Sequence, residues 1–343
     1  MCSLANTGYG IASKYIVREL VKQDKDIYLF PHGGIQYDSI EELNLYKKLI
    51  EKNKSLDWNS PCLNIWHQFD LAKRIGNGKY IAFPIFELDR FNDNEKNHLN
   101  GPNHIFVTSK WANDILESNK IKTKSSVVNL GVDTNIFHPK KTISDKTYRF
   151  INLGKFEKRK GHDVLIEAFC KAFEISDDVE LVMLANNPFL DEQEMRYWYS
   201  LYKESKLGDK IIFIDTISNH SQVADLIRSC DCGVFPSRAE GWNLELLECM
   251  SCGLDCIATN YSSHTEYCNS NNCNLIEVND LEDAYDGKWF FGNGQWAEVE
   301  VDNIVELMRI CFKNRKINLN GVETSNKFNW SNTIGMINAS IEI

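Results

Sequence analysis

Residues 235–248 read FPSRAEGWNLELLE, and this stretch decides the fold. The apolar run that ends at Phe235 has the length of a buried strand, and the small and polar residues after it predict a loop. From Leu244 the apolar residues recur at helical spacing, so the stretch predicts a strand–loop–helix unit. Such a unit presents free backbone N–H groups and the positive end of a helix, which suit a phosphate or sugar hydroxyls.

The same alternation of short apolar runs and amphipathic segments continues in both directions along the chain. It predicts parallel sheets covered by helices on both faces. The Pro- and charge-containing segment 137–146 predicts a linker between two doubly wound, Rossmann-like α/β domains, with a ligand cleft between them. We predict domains at 1–143 and 144–325, and a C-terminal helix in 326–343 able to pack back toward the first domain. In the first domain, the apolar run 27–30 predicts a strand.

Composition excludes several classes of protein. The 343 residues are 43% apolar and 25% charged, typical of a soluble globular chain. No run approaches the ~18 apolar residues of a membrane span, and the first residues do not resemble a signal peptide. A net charge of −10 argues against nucleic-acid binding, so an anionic ligand requires a local basic cluster. The odd count of 11 cysteines favours a reduced, cytoplasmic protein.

A local basic cluster follows the strand predicted at 149–153. Lys155, Lys158, Arg159 and Lys160 lie within six residues of one another in an otherwise acidic chain. A charge-assisted contact to phosphate contributes about 1.5–3 kcal/mol, so the cluster predicts a phosphate site. A solvent-exposed charge run is the alternative for Lys158 and Arg159.

Two carboxylates of the opening stretch complement these cations. Glu240 lies in the predicted loop, and Glu248 lies one turn inside the predicted helix. A carboxylate accepts two hydrogen bonds at once and therefore suits paired sugar hydroxyls. An exposed helix face is the alternative for Glu248.

The spacing of Glu240 and Glu248, followed by MSCG at 250–253, resembles the retaining glycosyltransferases of family four, which have the GT-B fold. The stretches NLGKFEKRKG at 152–161, FVTSKW at 106–111 and NLGVD at 129–133 are similar to further landmarks of that family. The resemblance implies transfer of a hexose-type sugar from a nucleotide-diphosphate sugar to a hydroxyl of a glycan or glycoconjugate. Because the lysine cations can neutralise the diphosphate, we expect no metal or other cofactor.

Roles for individual residues follow from the resemblance. It assigns Lys155 and Lys160 to the donor pyrophosphate and Glu240 to the donor sugar, as the catalytic set. Glu248 would bind the ribose hydroxyls, and the other donor-binding candidates are Gly8, Gly10, Gly241, Trp242, Asn243 and Leu244. On the acceptor or sugar side, Glu87 either lies near the reacting sugar or pairs with Arg90. His67 is a second candidate on that side, and a structural histidine is its alternative.

Several departures from the family pattern keep other interpretations open. Lys155 stands where the family usually has Arg, Asn243 where it has Gly, and Glu245 where it often has Pro. A catalytically idle GT-B subunit and a nucleotide-sugar epimerase are therefore alternatives. Cys249, Cys252 and Cys256 favour core packing over a zinc site. The loop at 215–217 is a candidate for choosing the base, and core or tail packing is predicted for Trp289, Phe290, Phe291 and Trp296.

Overall fold

The computed structural model describes residues 1–139, 147–214, 216–217 and 219–341. The chain forms two compact units, which are residues 1–131 with 328–343 and residues 132–327. The boundary between unit 1 and unit 2 thus follows residue 131, whereas the sequence predicts a domain boundary after residue 143. The difference arises because the start of the predicted linker belongs to unit 2. There Ser251 Oγ donates to the carbonyl of Phe137, and Arg228 Nη1 donates to the carbonyl of Ile136 (3.0 Å). The rest of that linker, residues 140–146, lies outside the described residues.

Unit 1 is built on parallel strands with helices between them. β3 to β6 form a four-stranded sheet in chain order, and β1 pairs with β2. A parallel bridge between Cys2 and Ile65 links β1 to the end of β3. The elements are β1 (Cys2–Leu4), α1 (Gly8–Lys22), β2 (Pro31–Ile35), α2 (Ile40–Glu51), β3 (Cys62–Asn64), β4 (Tyr80–Ala82), α3 (Asp93–Leu99), β5 (His104–Val107), α4 (Lys110–Ser118) and β6 (Ser125–Val127).

The strand predicted at 27–30 is wrong, since the strand is β2. The Phe30 carbonyl accepts from the Cys2 N–H, and the paired register then runs from Cys2 with Pro31 to Leu4 with Ile35. Within the apolar run before β2, the bond to β1 comes from the Phe30 carbonyl, and Leu29 is buried. Strand position here follows the available backbone partner rather than local apolarity.

Unit 2 contains one six-stranded parallel sheet. Its strands run in the order β12-β11-β10-β7-β8-β9, so the chain order reverses between β7 and β10. The elements are β7 (Tyr148–Leu153), α5 (His162–Ala172), β8 (Val179–Leu184), α6 (Glu192–Lys203), β9 (Ile211–Phe213), α7 (His220–Arg228), β10 (Cys232–Phe235), α8 (Leu244–Ser251), β11 (Asp255–Thr259), β12 (Asn274–Ile276), β13 (Leu281–Tyr285), β14 (Phe291–Ala297), α9 (Val301–Asn314) and α10 (Leu319–Lys327). The predicted doubly wound α/β class is confirmed.

The antiparallel hairpin of β13 and β14 is absent from the predicted elements. Its Trp296 is fully buried and donates Nε1–H to Glu282 at 2.9 Å. Trp289 and Phe291 are exposed, so the packing predicted for these two residues is wrong. Trp289 lies in the hairpin turn, where its ring centroid is 6.2 Å from that of Phe189, and Phe291 is the first residue of β14.

The last helix, α11 (Trp330–Ile341), packs on unit 1. The Trp330 ring stacks on the Tyr15 ring with centroids 5.0 Å apart. Thr333 Oγ1 donates to the carbonyl of Asn129 at 2.8 Å. Among the residues that the structure describes, no helix is both long and apolar enough to span a bilayer.

Candidate active site

The reversal of strand order in unit 2 brings the two loops of the candidate site together. The loop after β7 carries Lys155 to Lys160, and the loop after β10 carries Glu240. The Arg238 N–H donates to the Arg159 carbonyl at 2.7 Å, and Arg159 Nη1 donates to the Ala239 carbonyl at 2.7 Å. The carboxyl ends of strands at such a reversal form the usual ligand crevice of an open α/β sheet.

Gly161 allows the close approach of these loops. Its φ is +73°, and an added Cβ would lie 2.0 Å from the Pro236 carbonyl oxygen. A side chain there would meet both a strained backbone and a fixed carbonyl. The glycine after Lys160 therefore has a packing reason that belongs to this site.

Glu240 is buried, and its carboxylate accepts from three neighbouring donors. Its carboxylate accepts from Lys160 Nζ (2.8 Å), Arg159 Nη1 (2.9 Å) and Ser237 Oγ (2.8 Å). Burial alone raises the pKa of this carboxyl, but the Lys160 and Arg159 cations outweigh burial and hold the pKa well below its ordinary value. Glu240 is therefore ionised and held in place.

The ion pairs extend on both sides of Glu240. Arg159 Nη2 also contacts Glu157 Oε2 (2.9 Å), and Glu157 Oε1 contacts Lys155 Nζ (2.8 Å). On the other side, Lys160 Nζ lies 3.9 Å from Glu245 Oε2. We call these three cations and three carboxylates the charge network, and its members are Lys155, Glu157, Arg159, Glu240, Lys160 and Glu245. Its formal charges sum to zero.

The alternative of a solvent-exposed charge run is wrong for Arg159. This residue is only 4% exposed, because its guanidinium bridges two carboxylates from different parts of the unit. Lys158 is half-buried, and its Nζ donates to the Tyr285 carbonyl at 3.1 Å. The basic segment therefore contains one structural cation, Arg159, between Lys155 and Lys160.

Glu248 differs from the other carboxylates of the site. It is half-buried, and no hydrogen bond or ion pair joins its carboxyl group to any residue that the structure describes. Burial and the neighbouring Glu245 raise the pKa of Glu248 well above its ordinary value. Both oxygens are therefore available to a ligand, and a protonated carboxyl can donate as well as accept.

Asn243 explains one departure from the family pattern. Its φ is +80°, in the left-handed region where glycine is otherwise favoured. The side chain accepts from the Leu246 N–H at 3.1 Å as the N-cap of α8, and its Nδ2 bonds His264 Nε2 at 3.0 Å. His264 Nδ1 in turn contacts the Thr259 carbonyl at 3.0 Å. Asn243 thus adopts the left-handed backbone expected of a glycine, while its side chain caps α8 and bonds the buried His264.

The backbone carbonyls of Trp242 and Asn243 both bond the hydroxyl of Tyr267. Trp242 is buried, with its ring 5.0 Å from that of Tyr267, and Gly241 is buried as well. The Tyr267 hydroxyl lies 2.9 Å from the Trp242 carbonyl and 3.0 Å from the Asn243 carbonyl. The Trp242 side chain thus packs into unit 2. Leu244 is half-buried and begins α8, so a ligand would meet this segment through main-chain N–H groups.

The predicted residues of unit 1 lie after its first strands. Gly8 faces open space, whereas a Cβ at Gly10 would lie 1.8 Å from the Ala5 carbonyl oxygen, so Gly10 is required by packing. The His67 ring lies 4.5 Å from that of Tyr9 and stacks on Phe69 at 5.0 Å. Burial raises the pKa of the Tyr9 phenol, and the half-buried carboxylate of Glu87 raises that pKa further.

The cysteines and the base loop complete the predicted set. Cys249, Cys252 and Cys256 are buried free thiols, as core packing predicts. In the described ranges, no group of three or more His, Cys, Asp or Glu side chains is arranged to hold a metal ion. In the loop at 215–217, Thr216 Oγ1 accepts from Asn186 Nδ2 at 3.0 Å, whereas Asp215 lies outside the described residues.

Sequence reasoning missed four functional candidates of the site: Glu157, Arg159 as a buried bridge, Ser237 and His264. Glu157 and Arg159 lie inside the basic segment, and the single acidic residue among four basic ones was an available signal. Ser237 lies three residues before Glu240, a spacing that a loop brings within hydrogen-bond distance. For His264 no sequence signal exists, because its partner Asn243 is 21 residues away.

Comparison with known proteins connects this geometry to a family. Residues 133–287 match the family model for glycosyl transferases group 1. The chain is 28% identical over 144 residues to the mannosylfructose-phosphate synthase of Agrobacterium fabrum, covering 38% of this chain and 31% of the relative. It is 27% identical to the lipopolysaccharide core mannosyltransferase LpsB of Rhizobium meliloti, covering 41% and 42%. These alignments therefore span a third to two fifths of the relatives' length.

Solved structures resemble the chain over nearly its full length. Sucrose-phosphate synthase of Thermosynechococcus elongatus matches 98% of this chain and 93% of its own, with TM-score 0.72 and 16% identity. Anabaena HepE in complex with UDP and glucose matches 100% and 98%, with TM-score 0.72 and 14% identity. At such identities the likeness shows the fold, which is GT-B. Residues 133–287 are therefore similar to the glycosyl transferases group 1 family, and the chain as a whole has the GT-B fold.

Proposed function

We propose that the protein is a retaining enzyme that moves a hexose-type sugar from a nucleotide-diphosphate sugar to a hydroxyl of a glycan or glycoconjugate. One observation carries the proposal: Lys160, in the basic loop after β7 that also carries Lys155, lies 3.9 Å from Glu245 in the first turn of α8, where the strand order of unit 2 reverses. A diphosphate matches such a set, because it is attracted both by ammonium groups and by a helix amino end.

The charge network supports stabilisation of a departing diphosphate. When the bond to the sugar breaks, negative charge develops on the leaving phosphate and positive charge on the sugar. Lys160 is held by Glu240, and Glu240 is held in turn by Arg159, so the Lys160 ammonium group is oriented before reaction. Preorganised charges of this kind are usually the largest single contribution to catalysis. Because two lysines supply this charge, we propose a metal-independent reaction.

Glu248 suits the ribose of the nucleotide. Its side chain is half-buried and makes no hydrogen bond or ion pair with a described residue, and two adjacent hydroxyls would satisfy both of its carboxyl oxygens. Glu240 would contact the donor sugar from the other end of the same segment. Main-chain N–H groups from Gly241 to Leu244 would bind the sugar and phosphate between them.

The relatives favour a hexose as the transferred sugar. Their names refer to mannosyl transfer in LpsB and to GDP-mannose in a phosphatidylinositol dimannoside mannosyltransferase of Mycobacterium tuberculosis. HepE was solved with UDP-glucose. UDP, GDP and ADP therefore all enter the donor panel, each linked to glucose and to mannose. The predicted cytoplasmic location stays a prediction.

Unit 1 provides aromatic rings for an acceptor sugar. Tyr9, Trp66, His67 and Phe69 form a continuous set of rings after β1 and β3. Phe69 is 49% exposed, and an exposed ring can stack on the apolar face of a sugar. Glu87 acts on the pKa of Tyr9, which burial raises first, and it would contact the acceptor hydroxyl on the side of unit 1.

Real-time proton NMR of donor turnover tests the proposed function. The protein is mixed with each nucleotide sugar, a panel of simple sugar acceptors and EDTA, and the anomeric configuration of the product is read as it forms. We expect a product with the donor's configuration, and a loss of turnover of about 100-fold or more in Glu240→Gln. Glu167→Gln is the matched control, because it removes an exposed carboxylate that pairs with Lys171 elsewhere in unit 2. An inverted product, or turnover that EDTA abolishes, contradicts the proposal.

A further inference from the structure

We propose that Glu245 is an internal competitor of the donor diphosphate: its carboxylate pairs with Lys160 until a nucleotide takes its place. The inference rests on the proposed function, since it concerns the same phosphate site. It assigns a role to a residue at which the chain departs from the family pattern.

Both groups that would attract a phosphate already attract Glu245. Its Oε2 atom lies 3.9 Å from Lys160 Nζ. Glu245 is also in the first turn of α8, where the positive end of the helix stabilises negative charge. A diphosphate bound to Lys160 and to this helix end would therefore lie against a carboxylate of the same sign.

The exposure of the three partners shows which contact can open. The side chains of Glu240 and Lys160 are 5% and 10% exposed, whereas that of Glu245 is 33% exposed. The Lys160–Glu240 distance of 2.8 Å is that of a direct charge-assisted hydrogen bond, and the 3.9 Å distance to Glu245 is not. Glu245 can rotate into solvent at little cost, while Glu240 would lose its partners.

When a phosphate takes the place of Glu245, Lys160 keeps two anionic partners, which are Glu240 and the phosphate. Lys160 without Glu245 would have one carboxylate beside it, and the charge network would carry one net positive charge. A diphosphate satisfies that charge but must first displace Glu245, so the affinity for the charged part of the nucleotide is reduced. Binding of the uncharged nucleoside part does not require displacement of Glu245, so its affinity is not reduced. We expect the competition to favour release of the nucleoside diphosphate product.

Isothermal titration calorimetry of the full chain tests this competition. The nucleoside diphosphate chosen from UDP, GDP and ADP and its parent nucleoside are titrated into wild type, Glu245→Gln and Glu167→Gln. Glu167→Gln is the matched control, because it removes the carboxylate of another partly exposed lysine pair in unit 2. We expect Glu245→Gln to bind the diphosphate about five- to tenfold more tightly, as expected for loss of a partly exposed ion pair and its repulsion. The affinity for the nucleoside and the behaviour of Glu167→Gln should not change.

The possible results separate this inference from the proposed function. An unchanged diphosphate affinity in Glu245→Gln overturns the inference alone. A weaker affinity also overturns it, because Glu245 would then contact the ligand. Tighter binding of diphosphate and nucleoside together would indicate a general rearrangement and would overturn it as well. If folded wild type and Glu245→Gln both bind no nucleotide, the proposed function fails. Glu245→Ala repeats the test with a residue of high helix propensity, so that helix formation is preserved.

Discussion

Substitution of Asn243 by alanine and by glycine separates the two structural roles of this residue. The backbone of Asn243 is left-handed, with φ of +80°, and its side chain both caps α8 and bonds His264. Alanine keeps the Cβ atom and loses the side-chain bonds. Glycine loses the same bonds but adopts the left-handed backbone without strain.

The expected losses follow from these contacts. Loss of an N-cap side chain to alanine costs about 1 kcal/mol, and to glycine only a few tenths. A left-handed alanine adds about 1–2 kcal/mol. Both variants leave buried His264 Nε2 without its partner, which adds about 1 kcal/mol. We therefore expect the free energy of unfolding to fall by about 3 kcal/mol in Asn243→Ala and by about 1 kcal/mol in Asn243→Gly.

Equilibrium urea unfolding measures both values, fitted with as many transitions as the two units require. Hydrogen exchange of peptides covering α8 assigns the change to this helix. Asn271→Ala, at an exposed position of the same unit, is the control for the substitution itself. Equal losses in the alanine and glycine variants would refute the reasoning, because the left-handed backbone would then contribute nothing.

Three further predictions test other parts of the structure. Burial lowers the pKa of His162 to about 4, so the unfolded chain binds a proton that the folded chain does not between that value and about 6.5. The free energy of unfolding is therefore unaffected above this window and falls with the pH inside it, by up to about 1.4 kcal/mol per pH unit. In His162→Gln, urea unfolding at about pH 7 and about pH 5 should lack this part of the pH dependence. Trp330→Ala removes a buried ring from the contact with Tyr15 and should cost about 3 kcal/mol, measured by thermal unfolding, with unchanged melting as the contrary result. Gly161→Ala should lower both stability and nucleotide affinity because of its φ of +73° and the nearby Pro236 carbonyl, whereas Gly34→Ala, with nothing within 4 Å of the added Cβ, should alter neither.

Unit 2 follows closely from its sequence because most of its elements are encoded locally. The strand at 149–153 and the helix at 244–251 are predicted to within a residue, since apolar runs, breakers and helical spacing coincide there. The parallel sheet follows from the alternation of strands with helices. The β13–β14 hairpin breaks that alternation, and its turn holds exposed aromatic residues, so local pattern does not indicate it.

In the candidate site, too, some features are predicted from local sequence and others depend on distant residues. Lys155, Lys160 and Glu240 are predicted as one site from their positions after two strands, and the structure brings them into one charge network. Burial of Arg159 is not predictable from the segment around it, since one of its two carboxylates, Glu240, is 81 residues away. The same is true of strand β2, whose position depends on pairing with β1.

Binding of a nucleoside diphosphate to the charge network is the central claim, and calorimetric titration of wild type, Lys160→Met and Lys155→Met tests it most directly. Lys155 is 38% exposed, so Lys155→Met serves as a second variant that folds even if loss of buried Lys160 destabilises unit 2. We expect each variant to bind the diphosphate at least about tenfold more weakly than wild type, since each loses a charge-assisted contact of about 1.5–3 kcal/mol, while Lys171→Met binds as wild type. Wild-type affinity in folded Lys160→Met and Lys155→Met would contradict the account.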